Sequence, residues 1–264
     1  MHFVIYFGIL RFMKTRLFKY FFIFLYLCGV LSAGEIRIAV AANVSYAIEE
    51  LKTSFSTQHP DIKVNVVLGS SGKLTAQIKN GAPYGLFMSA NMKYPQALYE
   101  EGLALEKPHV YTKGALACLS VKKQDFSQGV RLLKDKAIQK ISIANPKTAP
   151  YGKASVEAIK NAGIYDEVKA KLVYAESISQ AVSYTLIATQ VGLIAKSSLF
   201  SSKMIQYKEG THWFSVNSEL YTPIEQGIVR LKYAKGKPEY KAFYDFILSP
   251  SAQSIFKKYG YLNK

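Results

Sequence analysis

From residue 35 onward the chain alternates short β-branched segments with amphipathic segments of helical period. That rhythm restricts the fold more than any other feature. "EIRIAVA" (35–41) reads as a strand, and "VSYAIEELKTSFSTQHP" (44–60) as an amphipathic helix stopped by proline. "IKVNVVL", "GKLTAQIKNGA", "GLFMSA" and "YPQALYEEGLA" continue as strand, helix, short buried strand and helix. After "PHVYTKG" the alternation restarts with "ALACLSVKK", "RLLKDKAIQ", "KISIANP", "KASVEAIKNAG" and "YDEVKAKLVYAE". "SISQAVSYTLIAT", "VGLIAK", "QGIVRLKYA", "PEYKAFYDFILS" and "SAQSIFKKYGY" complete it. Strands alternating with helices predict an α/β fold with mainly parallel sheet covered on both faces. In such sheets ligands sit beyond the carboxyl ends of the strands, so the strand-to-helix loops become the candidate site.

The loop "VVLGSSGKLTAQI" (66–78) superficially resembles a nucleotide-binding loop. It fails on spacing: Gly69 and Gly72 enclose only Ser70 and Ser71, and Leu74 stands where a magnesium-binding hydroxyl belongs. Backbone N–H groups at such a helix start lack intrahelical partners, and with the helix dipole and two hydroxyls they suit a small anion. A serine N-cap with no ligand is the simpler reading of this loop alone. Three more loops repeat the pattern. "AANVSYA" offers Asn43 or Ser45 as a polar cap, "KTAPYGKASVEAI" places Pro150, Tyr151 and Gly152 before a helix, and "YAESISQAV" brings Ser177 and Ile178 to another. Four such N-termini make an anion site if they converge in space.

Residues 1–34 contain four basic residues and no acid, with the apolar run "YFFIFLYLCGVLSAG", which describes a secretory signal peptide cleaved near Ala33 or Gly34. A retained membrane anchor is the competing reading. Cys28 lacks the small preceding residues of a lipoprotein box. Without the leader, Cys118 is the one cysteine left, so no intramolecular disulfide stabilises the core, and the formal charge falls from +16 to +12. Some 230 residues are enough for one large domain or two small ones. There is no basic-aromatic module for nucleic acid, and most lysines are scattered singly. His59, His109 and His212 do not flank a nucleophile, Cys118 sits mid-strand, and no ligand spacing indicates a metal-cation site. The expectation is a binding protein without enzymatic activity or a cofactor.

Taken in order, "AVAANVSYAIEEL", "GSSGKLTAQIKNGAP", "LFMSAN", "ANPKTAPYGKASVEAI" and "FILSPSAQSIFKKYGY" resemble the molybdate-binding proteins of bacterial ABC importers over nearly the whole chain after the leader. The resemblance implies a two-lobed periplasmic binding protein of type II-like fold, with ligand in the interlobe cleft. It implies lobe I from residues 35–111 and 226–264, and lobe II from 112–225. It places oxyanion contacts on Asn43, Ser71, Tyr151 and Ile178, with Ala42, Ser70 and Ser177 as secondary candidates. Asn43 would donate its side-chain amide, Ser71 its hydroxyl and backbone N–H, Tyr151 and Ile178 backbone N–H groups. The implied ligand is molybdate or tungstate, held without a metal cation. The implied partners are the permease and ATPase subunits of an importer, met by a periplasmic monomer. Sulfate, phosphate or a small organic anion on the same scaffold is the alternative. Two departures stand out: Ala195 occupies the place of a ligand tyrosine in some relatives, and Gly85 that of a usual aspartate. Lys73 and Lys153 flank the loops and are expected to be solvated, steering anions inward.

Overall fold

The computed structural model describes residues 34–262; the leader expected over 1–34 lies almost entirely outside the described residues. Ten strands form two five-stranded sheets. The first contains β1 (Gly34–Ala41), β2 (Ile62–Gly69), β3 (Leu86–Met88), β4 (His109–Gly114) and β10 (Ile224–Arg230), in the order β2-β1-β3-β10-β4. The second contains β5 (Leu116–Ser120), β6 (Ile141–Ala144), β7 (Leu172–Ala175), β8 (Val191–Ala195) and β9 (Trp213–Ser215), in the order β7-β6-β8-β5-β9. Helices α1 (Ile48–Gln58), α2 (Ser71–Lys79), α3 (Lys93–Glu100), α4 (Pro150–Asn161), α5 (Tyr165–Val168), α6 (Ile178–Ile187), α7 (Pro238–Leu248) and α8 (Pro250–Lys258) accompany them. This is the two-lobed α/β architecture. The chain changes sheet at Ala115 and again between β9 and β10, and the expected crossings near 112 and 226 fall within the paired strands β4 and β10.

Each sheet is mixed rather than simply parallel. β10 runs antiparallel to both β3 and β4, and β5 runs antiparallel to both β8 and β9. The reason is connectivity. These two strands enter their sheets directly from the other lobe, without the helical crossover that enforces a parallel neighbour. The pairs β1–β3, β6–β7 and β6–β8, which belong to the alternating segments, are parallel as that pattern predicts.

Burial follows the alternation. Strands β3, β5, β6 and β8 are buried at every position, as strands covered on both faces must be. Cys118 is fully buried in β5, and burial pushes its thiol up to about 12, so it stays a neutral packing group. In lobe I, Phe55 of α1 meets Phe243 of α7 edge-on at 5.0 Å, so the C-terminal helices seal this lobe. The segment "RLLKDKAIQ" forms only a 3-10 turn, Gly129–Lys134, before the strand that follows.

Gly85 has a packing reason. A Cβ there would overlap the ring of Tyr240, whose hydroxyl accepts a hydrogen bond from the Arg37 N–H at 3.1 Å. The tyrosine fills the space an aspartate side chain would need. Gly85→Ala is therefore expected to destabilise the protein by about 1–3 kcal/mol in urea unfolding, as overpacking does. In a Tyr240→Ala background, itself less stable, the further cost of Gly85→Ala should nearly vanish.

Candidate functional site

Four strand-to-helix loops meet where the lobes face each other. β1 ends in a 3-10 turn, Ala42–Tyr46, and β2 leads through Ser70 into α2. From the second sheet, β6 leads to α4 and β7 leads through Glu176 and Ser177 to α6. The loops touch directly. Gly72 N–H donates to the Thr148 carbonyl at 2.9 Å, and Lys73 Nζ pairs with Glu176 at 2.6 Å. Ser197 Oγ donates to the Asn43 carbonyl at 3.1 Å. Ala41, Ala42 and Ala90 share one apolar cluster with Tyr151, Ile178 and Ala195. Gly72 permits this approach, because a Cβ there would lie 2.9 Å from the Thr148 carbonyl oxygen and 2.8 Å from the Tyr94 hydroxyl.

The expected contact residues now have positions. Ser71 is the first residue of α2, buried, and its Oγ accepts a hydrogen bond from Ala90 N–H at 2.9 Å. Its own hydroxyl proton therefore remains available to an acceptor. Tyr151 follows Pro150 in the first turn of α4, and Ile178 opens α6. The backbone N–H groups of Ser71, Tyr151 and Ile178 have no hydrogen-bond partner among the described residues, as first-turn groups commonly do not. Ser177 is an ordinary cap: its Oγ accepts from Gln180 N–H at 3.3 Å. Ser70 is not. It occupies the N-cap position of α2 with extended backbone, but makes no side-chain cap bond. Buried side-chain atoms without a partner, among the described residues, are Ser70 Oγ, Thr148 Oγ1 and Asn43 Oδ1, and all three belong to these loops. Leaving one such group unsatisfied costs about 1–3 kcal/mol, so their concentration here needs an explanation.

Asn43 does not cap a helix. Its Nδ2 donates to Gln226 Oε1 at 2.8 Å and to the Tyr261 hydroxyl at 3.1 Å. Tyr111 O–H also donates to Gln226 Oε1 at 2.8 Å, and Gln226 Nε2 donates to the Tyr151 hydroxyl at 3.3 Å. Tyr261 O–H donates to the Asn43 carbonyl at 2.9 Å. Gln226 thus ties the first lobe to α4 of the second. Its setting is the irregular pairing of β10 with β4, where Gln226 faces Thr112 and Gly227 faces Val110, leaving Tyr111 as the extra residue. Gly114 makes room for the network, since a Cβ there would overlap the Tyr151 hydroxyl and lie 2.8 Å from Gln226 Nε2. Gln226, Tyr111, Tyr261 and Thr148 were not singled out from sequence. Asn43 and Gln226 are 183 positions apart, and a glutamine within "IEQGIV" carries no local signal of its partners.

The flanking lysines are ion-paired rather than simply solvated. Lys73 bonds Glu176 across the lobes, and Lys153 lies 3.5 Å from Glu157 on its own helix. Both pairs are substantially exposed, so each contributes little to stability. Ala195 is fully buried at the end of β8, and in the turn after it Ser197 donates to the Asn43 carbonyl. Tyr46 packs against the second-lobe cluster of Val182, Leu199 and Trp213, while Tyr94 sits at the rim with its hydroxyl 3.5 Å from the Lys147 carbonyl.

Burial raises Tyr111 well above the ordinary phenol value, with the Tyr261 phenol adding to the effect; burial likewise raises Tyr151 and Tyr261. These hydroxyls remain neutral donors and acceptors throughout the physiological range. Because the folded protein holds these protons more tightly than the unfolded chain, their contribution is complete below pH about 10 and declines above it. Unfolding midpoints measured from pH 7 to 11 should therefore begin to fall above about pH 9, where the unfolded Cys118 thiol ionises, and fall more steeply above about pH 10, less so in Tyr111→Phe.

The bacterial extracellular solute-binding protein model matches residues 36–262. The chain is 34% identical over 235 residues to the molybdate-binding protein ModA of Rhodobacter capsulatus, covering 88% of this chain and 90% of that protein. The solved periplasmic molybdate-binding protein of Azotobacter vinelandii superimposes with a TM-score of 0.80 at 31% identity, covering 87% of this chain and 99% of that one. A sulfate-binding protein, SubI of Mycobacterium tuberculosis, shares the fold with a TM-score of 0.70 at 13% identity. With its two mixed sheets, its facing loops and a match across both lobes, the chain belongs to the bacterial extracellular solute-binding protein family.

Proposed function

We propose that the protein captures molybdate, and tungstate with it, between its lobes and delivers the anion to the permease and ATPase subunits of an ABC importer. The observation that carries this reading is the set of unpartnered first-turn N–H groups at Ser71, Tyr151 and Ile178, gathered with the free Ser71 hydroxyl proton in loops that already touch. The 34% identity to a molybdate-binding protein supports the choice of ligand. A buried dianion needs several donors, because an unpaired charge in a low-dielectric interior is expensive. Asn43, Ser71, Tyr151 and Ile178 are all neutral, and backbone N–H groups add no titratable group to the site.

Lobes comprising residues 35–111 with 226–264, and 112–225, close over the ligand, and the cavity between them sets the size of the anion. Molybdate and tungstate are nearly isosteric and share it; sulfate is smaller and leaves its donors out of reach. The protein acts outside the cytoplasmic membrane after removal of residues 1–34, consistent with the extracellular solute-binding family. Ala42 and Ser70 contribute by shaping the loops, and the unpartnered Ser70 hydroxyl is a further donor.

Calorimetric titration of the purified protein tests the proposal directly. One-to-one binding of molybdate and tungstate, with no heat from sulfate or phosphate, is the expected result. Heat only from sulfate or phosphate would overturn the size argument. Ser71→Ala should weaken molybdate binding by about 10–100-fold, the loss of one or two charge-assisted hydrogen-bond equivalents. Gly72→Ala should also weaken it, by keeping the first lobe from the Thr148 carbonyl.

A further inference from the structure

We propose that Gln226 is a positioning residue for the anion site, acting through a paired rotation of the Asn43 and Gln226 carboxamides. This inference rests on the oxyanion-binding reading above. As the groups stand, both donor directions of Asn43 Nδ2 are used within the protein, on Gln226 Oε1 and Tyr261, while Oδ1 is buried without a partner. A carbonyl oxygen repels an anion, so Asn43 serves the site only with its amide reversed. Reversing Asn43 alone would set two acceptor oxygens against each other, at a spacing that is now a 2.8 Å hydrogen bond.

Reversing both amides removes the conflict. Gln226 Nε2 then donates to Asn43 Oδ1 and to the Tyr111 hydroxyl, and Gln226 Oε1 accepts from Tyr151 O–H. Tyr261, whose oxygen now accepts from Asn43 Nδ2, turns its O–H from the Asn43 backbone carbonyl to the reversed Oδ1, and that backbone carbonyl keeps the hydrogen bond from Ser197 Oγ. Tyr111 O–H gives up its acceptor, but the second Gln226 N–H and the Tyr151 O–H each gain a partner. The buried Oδ1 is no longer orphaned, and both Asn43 N–H groups are released from the protein. Glutamine suits this role because its two ends exchange donor and acceptor without changing shape or charge. Tyrosine hydroxyls suit the surrounding positions for the same reason. Gln226 is itself fully buried, so solvent does not compete for either end.

Molybdate titrations of the wild-type protein, Asn43→Ala, Gln226→Met and the double variant form the test. Gln226→Met keeps the volume and should weaken binding about 10-fold; in the Asn43→Ala background it should add no more than about 2-fold, because its effect runs through Asn43. Gln226→Glu can only accept while ionised, holds Asn43 turned away from the anion, and should bind more weakly than Gln226→Met. In the wild-type protein, adding molybdate should shift the side-chain amide resonances of both residues and exchange their contacts, with the Gln226 amide protons gaining an NOE to the Tyr111 ring as those of Asn43 lose theirs to Tyr261, an exchange that a fixed glutamine would not give. Independent, additive losses in the double variant, or unmoved amide resonances on a wild-type protein that binds, would overturn this inference alone. A wild-type protein that binds no tetrahedral oxyanion would overturn it together with the function on which it rests.

Discussion

One buried carboxamide joins the polar network of the first lobe to the second. Gln226 sits on the strand that returns from the second lobe, yet it pairs with Asn43, Tyr111 and Tyr151, so three separate elements are fixed through one carboxamide. In water such bonds contribute about 1 kcal/mol each, but an unmet polar group in this interior would cost more than any one of them yields. The network therefore acts chiefly as a specification. It admits the arrangement in which β10, β4 and α4 meet and penalises the alternatives.

The approach of the lobes is governed by missing side chains as much as by contacts. Gly114 leaves room for the Tyr151 hydroxyl, and Gly72 lets its N–H reach the Thr148 carbonyl. The Lys73–Glu176 pair crosses the same boundary, but both groups are about half exposed, and pairs of that kind contribute at most about 1 kcal/mol. Apolar packing of Ala41, Ala42 and Ala90 against Tyr151 and Ile178 is the more durable part of the contact. Small residues on the first lobe and larger ones on the second bring the loops of the two lobes into direct contact.

Solved proteins that share this fold carry names for different ligands: molybdate in one, sulfate in another. Fold alone therefore does not choose the anion; the loops do. Here the loops offer hydroxyl and amide groups instead of cations, and the nearby lysines are engaged with Glu176 and Glu157. A site of that kind would depend on the position of its dipoles, and Gln226 is hydrogen-bonded to two of the residues concerned, Asn43 and Tyr151.

The strand–helix alternation determined the α/β class and put the loops after β1, β2, β6 and β7 forward as a site, because period and β-branching are local properties of the chain. The helix-start positions of Ser71, Tyr151 and Ile178 were legible for the same reason: each opens or nearly opens a helix that its own segment specifies. Asn43 was legible as a position but not as an interaction, since its amide is bound by Gln226 and Tyr261, both more than 180 residues away. Nor did local sequence separate the two adjacent serines. The structure gives Ser71 an N–H to accept from and leaves Ser70 with none, although both lie in one Gly-Ser-Ser-Gly loop. The antiparallel entry of β5 and β10, the space left by Gly85 for Tyr240, and the pairing of Lys73 with Glu176 were likewise decided only in three dimensions. Periodicity reports what a segment does with its own residues; the partner of a buried polar group is set by which distant segments the fold brings against it.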